Sequence, residues 1–210
     1  CITHSPLLDG RPPRQSQPDE GALVKILAFA ATSSRKSINR QLIAYAAHLL
    51  EDGRPEDVTV ETIDLNDYEM PIYSIDRETE GGIPRAAHDF FDRIGQADAV
   101  LISFAEHNGH YTAAYKNIFD WASRIDKRVY QGKPTVMLAT APGPGGGSTV
   151  LEAAVTSGRF FGNEVLASLA IPRFHDNFDT ATNRLTDPGR DGQLRAALAT
   201  FTASEERRAA

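Results

Sequence analysis

The sequence predicts an α/β protein in which helices cover both faces of a mostly parallel, five-stranded sheet. Short, nearly continuous apolar segments recur along the 210 residues, and segments with apolar residues at helical spacing separate them. Continuous apolar runs are typical of strands buried on both faces, and strands that alternate with helices form parallel sheets. Because crossover connections are right-handed, five such strands suit the order 2-1-3-4-5.

Five segments have the composition of strands in that sheet. In the first, from Leu23 to Ala30, Lys25 is the only polar residue. The predicted strands cover residues 23–30, 58–65, 99–104, 134–140 and 165–171. Apolar residues three or four positions apart predict a helix after each strand. These helices cover residues 38–49, 87–94, 115–125, 150–161 and 194–201.

Residues 66–82 interrupt this alternation. The segment is mainly polar and carries Pro71, Gly81 and Gly82, which predict a loop. It also contains Met70 and Ile72 among other apolar residues. We therefore expect it to pack on the body of the domain or on a second subunit.

Charge and composition limit the partners. The chain has 22 Lys and Arg against 28 Asp and Glu, a formal net charge of −6, whereas nucleic acids and anionic membranes select basic surfaces. No apolar run approaches the roughly 18 residues of a membrane-spanning helix. A single cysteine excludes a disulfide framework. We expect a cytoplasmic protein that acts on a small molecule, without a nucleic-acid or membrane partner.

The first residues differ in composition from the rest. Residues 1–22 contain four prolines and no apolar periodicity, so we expect a flexible leader followed by one domain over residues 23–210. Cys1 marks either an arbitrary start or the lipid-bearing residue of a processed lipoprotein.

The loop after the first strand is rich in hydrogen-bond donors. In open α/β sheets, ligands bind beyond the carboxyl ends of the strands, where the strand order reverses. This loop places Ser33, Ser34, Arg35, Ser37 and Asn39 at that position, before a helix. Helix N-termini bind phosphate through free N–H groups and a partial positive charge. A helix cap would explain Ser37 alone, so the whole set predicts a phosphate site.

Two further loops reach the same edge of the sheet. The loop after the third strand reads Glu106-His107-Asn108-Gly109-His110, which is either a turn with exposed histidines or a backbone surface for a flat ring. Two histidines are too few for a metal site, and none is expected. The loop after the fourth strand, residues 141–148, is either a flexible linker or a glycine-rich surface that a ligand approaches closely.

Together these loops resemble the NADPH-dependent FMN reductase family, which includes flavodoxin-like quinone, azo-dye and chromate reductases. Residues 32–39 resemble its G-S-x-R-x-x-S-x-N segment without the usual glycine, and residues 141–147 loosely fit its glycine-rich loop. The family's P-E-Y-N loop and K-N-x-x-D-W helix match this sequence more specifically, although His107 stands where the family has tyrosine. The matching residues are Glu106, Asn108, Lys116, Asn117, Asp120 and Trp121. We expect structural roles for Asp120 and Trp121.

The resemblance implies a flavodoxin-like three-layer sandwich that binds FMN. It further implies that NADPH or NADH is the co-substrate and that the electron acceptor, reduced in a ping-pong cycle, is a quinone, an azo compound, a metal oxyanion or a flavin. It also implies that the protein assembles as a homodimer or homotetramer. No protein side chain is expected to act as nucleophile, because the flavin carries the chemistry. The residues that the resemblance assigns to FMN are Ser33, Ser34, Arg35, Ser37, Ile38, Asn39, Glu106, His107, Asn108, Gly109, Pro142, Gly143, Gly145, Gly146 and Gly147.

Two other functions stay open from the sequence. One is a flavodoxin-type electron carrier that binds FMN without turning over a nicotinamide. The other is an unrelated nucleotide-binding α/β enzyme, although the chain lacks the P-loop motif G-x-x-x-x-G-K-[ST].

Overall fold

The computed structural model describes residues 24–53 and 56–209. The predicted leader, residues 1–22, lies outside the described residues.

Five parallel strands form the central sheet. They are β1 (Val24–Ala31), β2 (Val58–Thr62), β3 (Ala99–Phe104), β4 (Pro134–Thr140) and β5 (Glu164–Ile171). Their order is β2-β1-β3-β4-β5, as the sequence predicts, and all four pairings are parallel. Every residue of β3 and β4 is buried. These strands are continuous apolar runs because helices cover both of their faces.

Within the described residues, seven helices surround or flank the sheet. They are α1 (Ile38–Gly53), α2 (Ile75–Gly81), α3 (Arg85–Gln96), α4 (Ala113–Ile125), α5 (Ser148–Gly158), α6 (Phe174–Asn177) and α7 (Pro188–Ala209). Phe90, Tyr115 and Val150 bring α3, α4 and α5 into one core, whereas Leu42 and Leu198 bring α1 and α7 into the other. Two cores on opposite faces confirm the predicted flavodoxin-like three-layer sandwich.

The connection after β2 differs from the prediction. The strand ends at Thr62, and Leu65–Tyr68 forms a short 3-10 helix instead of continuing it. The loop predicted over residues 66–82 contains α2, so that prediction is wrong for Ile75–Gly81. Ser74 caps α2 by accepting from the Arg77 N–H, and Gly82 (φ 71°) ends it by donating its N–H to the Glu78 carbonyl. The glycines that indicated a loop therefore end a helix.

The same segment packs on the body of the domain, which confirms one of the two alternatives. The Tyr73 N–H donates to Asn117 Oδ1 at 2.8 Å, and Trp121 Nε1 donates to the Pro71 carbonyl at 2.7 Å. The Tyr73 ring meets the Trp121 ring edge-on, with 5.0 Å between centroids. Asn117 and Trp121 thus hold this segment against α4, and the structural role expected of Trp121 is confirmed.

A small hairpin after β5 was not predicted. Strands β6 (Phe178–Asp179) and β7 (Arg184–Leu185) pair antiparallel between α6 and α7. Phe178 and Leu185 are buried in the core shared with α1 and α7. Strands of two residues leave no periodic pattern in a sequence, which is why only the structure reveals them.

Candidate functional site

The candidate site lies at the carboxyl edge of the sheet, where three loops leave adjacent strands. The loops follow β1, β3 and β4, and β3 pairs with both of the other strands. Strand order reverses between β1 and β3, so the first two loops flank the switch point.

The first loop presents a set of donors that have no acceptor among the described residues. The backbone N–H groups of Ser33, Arg35, Lys36 and Ile38 have no acceptor within the described part of the chain. Ser33, Ser34 and Arg35 are exposed, and no partner of the Arg35 guanidinium is found among residues 24–53 and 56–209. Such a set at a helix N-terminus has the donor chemistry that binds a phosphate group.

Two residues of this loop have structural roles. Ser37 Oγ accepts from the Asn39 N–H at 3.1 Å, so the helix cap is present. Its hydroxyl proton stays available for a ligand. The Asn39 side chain, only 2% exposed, points inward. Its Oδ1 accepts from Ser103 Oγ at 2.7 Å and from the Thr140 N–H at 3.1 Å, and its Nδ2 donates to the Thr140 carbonyl at 3.0 Å. Asn39 therefore positions the loop against β3 and β4.

The second loop is a tight turn. The His107 N–H donates to the His110 carbonyl at 3.0 Å, and the His110 N–H donates back at 3.1 Å. Between them, Asn108 (φ 53°) and Gly109 (φ 77°) are both left-handed. Two positive φ angles in an Asn-Gly pair define a type I′ turn. His107, Asn108 and His110 are exposed, as one of the two interpretations of the sequence predicts.

Glu106 fastens this turn to the helix after the third loop. Its Oε2 accepts from the Val150 N–H, in the first turn of α5, at 3.0 Å. A carboxylate at a helix N-terminus is stabilised by the partial positive charge there. Glu106 thus fixes the distance between the second and third loops.

The glycines of the third loop fall into two groups. A Cβ on Gly146 (φ 62°) would lie 2.7 Å from the backbone nitrogen of Pro172, and one on Gly147 (φ 80°) would lie 3.0 Å from Ala139 Cβ. These two glycines are required by the fold itself. Gly143 and Gly145 are exposed, and a Cβ on Gly143 would meet nothing within 4 Å. Exposure of both glycines, with open space beside Gly143, leaves the loop backbone accessible to a ligand.

The segment after β5 supports the third loop from behind. The Arg173 N–H donates to the Gly143 carbonyl at 2.9 Å, and the Phe174 N–H donates to the Ala141 carbonyl at 3.1 Å. Arg173 adopts a left-handed conformation (φ 49°). With these bonds and the close approach at Gly146, the loop is docked on the end of β5. A freely flexible linker, one of the two interpretations of the sequence, does not describe it.

A cleft of about 300 Å³ opens beside the first loop. It lies between the segment after β2 and the start of α4. Its lining residues are Ser33, Leu65, Asn66, Tyr68, Glu69, Met70, Ile72, Ala113, Ala114, Asn117 and Ile118. Apart from Ser33, they were not predicted as site residues, because the segment over 66–82 was expected only to pack on the domain or on a second subunit and α4 was expected only as a helix. Asn66 Nδ2 donates to the Ser33 carbonyl at 3.0 Å and joins the cleft to the first loop.

Asp64 organises the wall of that cleft. Burial opposes its ionisation, but hydrogen bonds from the Asn66 N–H and from Arg40 outweigh this effect and hold the pKa of Asp64 below its usual range. Its Oδ2 lies 2.5 Å from a guanidinium nitrogen of Arg40, on α1. The carboxylate therefore links the segment after β2 to the helix that follows the first loop.

A second cavity, of about 250 Å³, lies behind the second loop between α4 and α5. Rings of Tyr111, Tyr115 and Phe119 line it, together with His110. Burial raises the pKa of Tyr115, whose hydroxyl lies 2.7 Å from that of Tyr130. The phenol of Tyr115 is therefore neutral at physiological pH.

No group of three or more His, Cys, Asp or Glu side chains among the described residues is placed to hold a metal ion. Among the described helices, none is long and apolar enough to cross a membrane.

The fold and the loops define a flavodoxin-like protein with a donor-rich loop at the switch point of its sheet. A family model described as NADPH-dependent FMN reductase matches residues 24–176. The chain belongs to this family.

Individual relatives match a shorter part of the chain than the family model does. NADPH:quinone oxidoreductase of Arabidopsis thaliana is 30% identical over 125 residues, 60% of this chain and 62% of that protein. The 2-hydroxy-1,4-benzoquinone reductase of a Burkholderia species is 33% identical over 121 residues, 57% of this chain and 62% of that protein. The matched segment thus spans less than two thirds of these relatives.

A solved structure supports the fold. The flavoenzyme NAD(P)H:(acceptor) oxidoreductase of Paracoccus denitrificans superposes with a TM-score of 0.71 at 22% identity, covering 88% of this chain and 98% of that one. At this sequence identity, the similarity shows that the two proteins share the arrangement of the sheet and helices.

Proposed function

We propose that the protein is an NAD(P)H-dependent FMN oxidoreductase. In this function, bound FMN would carry the two electrons from NADPH or NADH to a small-molecule acceptor in a ping-pong cycle. The observation that supports this best is the unused donor set at residues 33–38 in a chain of the FMN reductase family. Phosphate-binding donors at the switch point are the feature that FMN needs from this fold.

The first loop would hold the phosphate of FMN. The free N–H groups of Ser33, Arg35, Lys36 and Ile38 and the hydroxyls of Ser33, Ser34 and Ser37 supply neutral donors, and the Arg35 side chain adds the charge. Asn39 contributes by holding the loop in place, since its side chain is committed to Ser103 and Thr140. Because Asn39 anchors the loop backbone before binding, the backbone donors lose less freedom when the phosphate binds.

The second and third loops would hold the isoalloxazine ring. On one side the turn presents the exposed residues His107 and Asn108 beside the half-buried Gly109, and on the other side residues Pro142 to Gly145 are exposed. Glu106 fixes the spacing between them, and Gly146 and Gly147 let the third loop pack on the sheet. FMN, when bound here, supplies the two-electron chemistry. The protein binds and orients the reactants.

Quinones are the acceptor class that the relatives favour. Both relatives described above are quinone reductases by name. The cleft beside Ser33 is open to the same edge of the sheet, and Met70, Ile72 and Ile118 give it apolar walls. A planar, apolar acceptor with polar oxygens suits a cleft of this composition.

We propose a homodimer or homotetramer that works in the cytoplasm. Ile72 is 75% exposed and Ile75 is 59% exposed on the segment beside the cleft. Exposed apolar side chains next to a binding site are typical of a surface that a second subunit covers. Closed symmetric homo-oligomers are the commonest assemblies of soluble proteins.

Reconstitution with FMN tests the proposed function. The protein, incubated with FMN and freed of excess by gel filtration, should show the absorption bands of bound flavin. Anaerobic NADPH or NADH should then bleach those bands. Absence of bound flavin would refute both this function and the electron-carrier alternative. Flavin that stays oxidised with both nicotinamides would refute the reductase alone.

The variant Arg35→Ala tests the placement of the phosphate. Loss of one charge-assisted contact weakens binding by about 1.5–3 kcal/mol, which is about 10- to 150-fold in the Kd for FMN. Lys127→Ala is the matched control, because Lys127 is an exposed cation between α4 and β4, at the opposite edge of the sheet. Equal FMN affinity of both variants, measured by equilibrium dialysis, would place the phosphate elsewhere.

A further inference from the structure

The cavity between α4 and α5 is separate from the proposed flavin site. It lies against a different face of α4 from the cleft beside Ser33, and the cavity and the cleft share no lining residue. None of the residues that would hold FMN lines it either. The cavity is therefore a place where a second molecule could bind independently of the flavin loops.

Aromatic rings form most of the cavity wall. The Phe119 ring centroid is 5.8 Å from that of Tyr115 and 5.7 Å from that of Tyr130. It is 4.8 Å from the centroid of Phe161, and Tyr111 lies 5.3 Å from Tyr115 on the side of the second loop. Rings that contact one another in this way form a firm wall, against which a flat aromatic molecule packs well.

The charged groups of the lining neutralise each other. His110 and Lys116 are exposed, whereas Tyr115 is buried, so the cavity runs inward from the surface of α4. Lys116 Nζ lies 2.5 Å from Asp120 Oδ1. Because an unpaired charge is costly in an apolar space, a lining of this kind favours an uncharged ligand.

A hydroxyl proton at the deep end of the cavity lacks an acceptor. Tyr115 is 2% exposed and Tyr130 is 3% exposed, and their hydroxyl oxygens lie 2.7 Å apart. Burial raises the pKa of both side chains, so each hydroxyl keeps its proton at pH 7. One proton joins the pair, and no other acceptor for either hydroxyl is found within residues 24–53 and 56–209. The second proton is available to an oxygen atom of a ligand.

We propose that this cavity binds a planar, uncharged aromatic molecule of two fused rings that carries a carbonyl oxygen. An apolar cavity of about 150 Å³ holds one benzene ring, so a volume of about 250 Å³ suits two fused rings. The ligand packs against Phe119 and its aromatic neighbours, and its carbonyl accepts the second proton of the Tyr115 and Tyr130 pair. The proposal does not rest on the proposed function.

The compounds 1-indanone and indene test the proposal as a matched pair. Both have two fused rings built from the same number of carbon atoms, but only 1-indanone has a carbonyl oxygen. A titration followed by the NMR signals of the ligand gives the Kd of each. We expect a Kd of about 0.1–1 mM for 1-indanone, as suits a ligand of this size. Excess FMN should not displace it, because the cavity lies outside the flavin loops.

The double variant Tyr115→Phe/Tyr130→Phe tests the hydroxyl pair. Both hydroxyls are removed together, since either one alone would still offer its own proton, and phenylalanine keeps the shape of both rings. A neutral hydrogen bond changes the Kd by about 2- to 10-fold. The wild-type protein should prefer 1-indanone over indene by this factor. In the double variant the preference should disappear, while the Kd for indene stays unchanged.

The variant Ser123→Phe tests the location. Ser123 is half-buried in the lining, and its hydroxyl donates to the Asp120 carbonyl at 2.8 Å. Phenylalanine there fills the cavity, so both ligands should bind at least about 10-fold more weakly. Thr200→Phe is the matched control. Thr200 is also half-buried on a helix and donates to the carbonyl three residues before it, that of Ala197, at 2.6 Å, but it lies on α7. Its variant should bind both ligands like wild type.

Any of four results would overturn the proposal. They are no binding of 1-indanone by the wild-type protein at millimolar concentration, its displacement by FMN, unchanged binding in Ser123→Phe, and an intact preference for 1-indanone in the double variant. Circular dichroism checks that each variant is folded. If Ser123→Phe does not fold, the double variant and the competition with FMN decide the matter.

Discussion

Replacing Asn39 with alanine removes the side chain that ties the first loop to the ends of β3 and β4. Three hydrogen bonds are lost, to Ser103 Oγ and to the Thr140 N–H and carbonyl, and all are buried. A hydrogen bond contributes about 1 kcal/mol net, and a buried group left without a partner costs about 1–3 kcal/mol. Three bonds give a loss of about 3 kcal/mol as the lower estimate.

Urea unfolding at pH 7 measures this loss. With a slope of about 2 kcal/mol/M, a loss of 3 kcal/mol lowers the midpoint by about 1.5 M. Gln193→Ala is the control, because Gln193 is exposed on α7 and its side chain accepts, within the described part of the chain, only a long 3.3 Å bond from Arg190. Its midpoint should stay within about 0.3 M of wild type. An Asn39→Ala midpoint within that same margin would refute the structural role assigned to Asn39.

Two further changes test the supports around the site. Gly146→Ala places a Cβ 2.7 Å from the backbone nitrogen of Pro172 at a φ of 62°, so thermal unfolding should show a loss of about 1–3 kcal/mol in stability. Gly143→Ala is the control, because a Cβ there meets open space and should leave the stability nearly unchanged. Equal stability of the two variants would contradict the close approach at Gly146. Asp64→Asn removes a carboxylate whose pKa is below its usual range, through Asn66 and Arg40 and despite burial. A lowered pKa stabilises the native state at pH values above the unfolded-state pKa of about 3.9. The free energy of unfolding of the variant should therefore be about 1 kcal/mol lower than that of wild type at pH 7, and this difference should vanish as pH falls through the folded-state pKa of Asp64. A difference that does not change with pH would contradict this role of Asp64.

The sheet was predictable because its signal is local. β3 and β4 are buried along their whole length, so their sequences are apolar without interruption. The right-handed crossover rule then leaves few strand orders. The connection after β2 was not predicted correctly. Gly82 is the C-cap of a short helix, and in a sequence a glycine that ends a short helix cannot be told apart from a glycine in a loop.

The candidate site was predictable in position but not in the role of each side chain. Loops after adjacent strand ends can be located from the strand pattern alone. That Asn39 turns inward depends on Thr140, 101 residues away in the sequence. That Gly146 is needed by the fold depends on the backbone at Pro172. Contacts between distant segments leave no local pattern, so the distinction between ligand-facing and fold-supporting residues required the structure.

Trp121 gives the protein a built-in fluorescent reporter. It is the only tryptophan of the chain, is 1% exposed, and donates its Nε1–H to the Pro71 carbonyl beside the cleft. A buried indole emits at shorter wavelength than one in water, so release of this segment would shift the emission to the red. Flavin absorbs where such an indole emits, so FMN binding should quench it. One unlabelled fluorophore thus follows both the docking of the segment after β2 and the occupancy of the site.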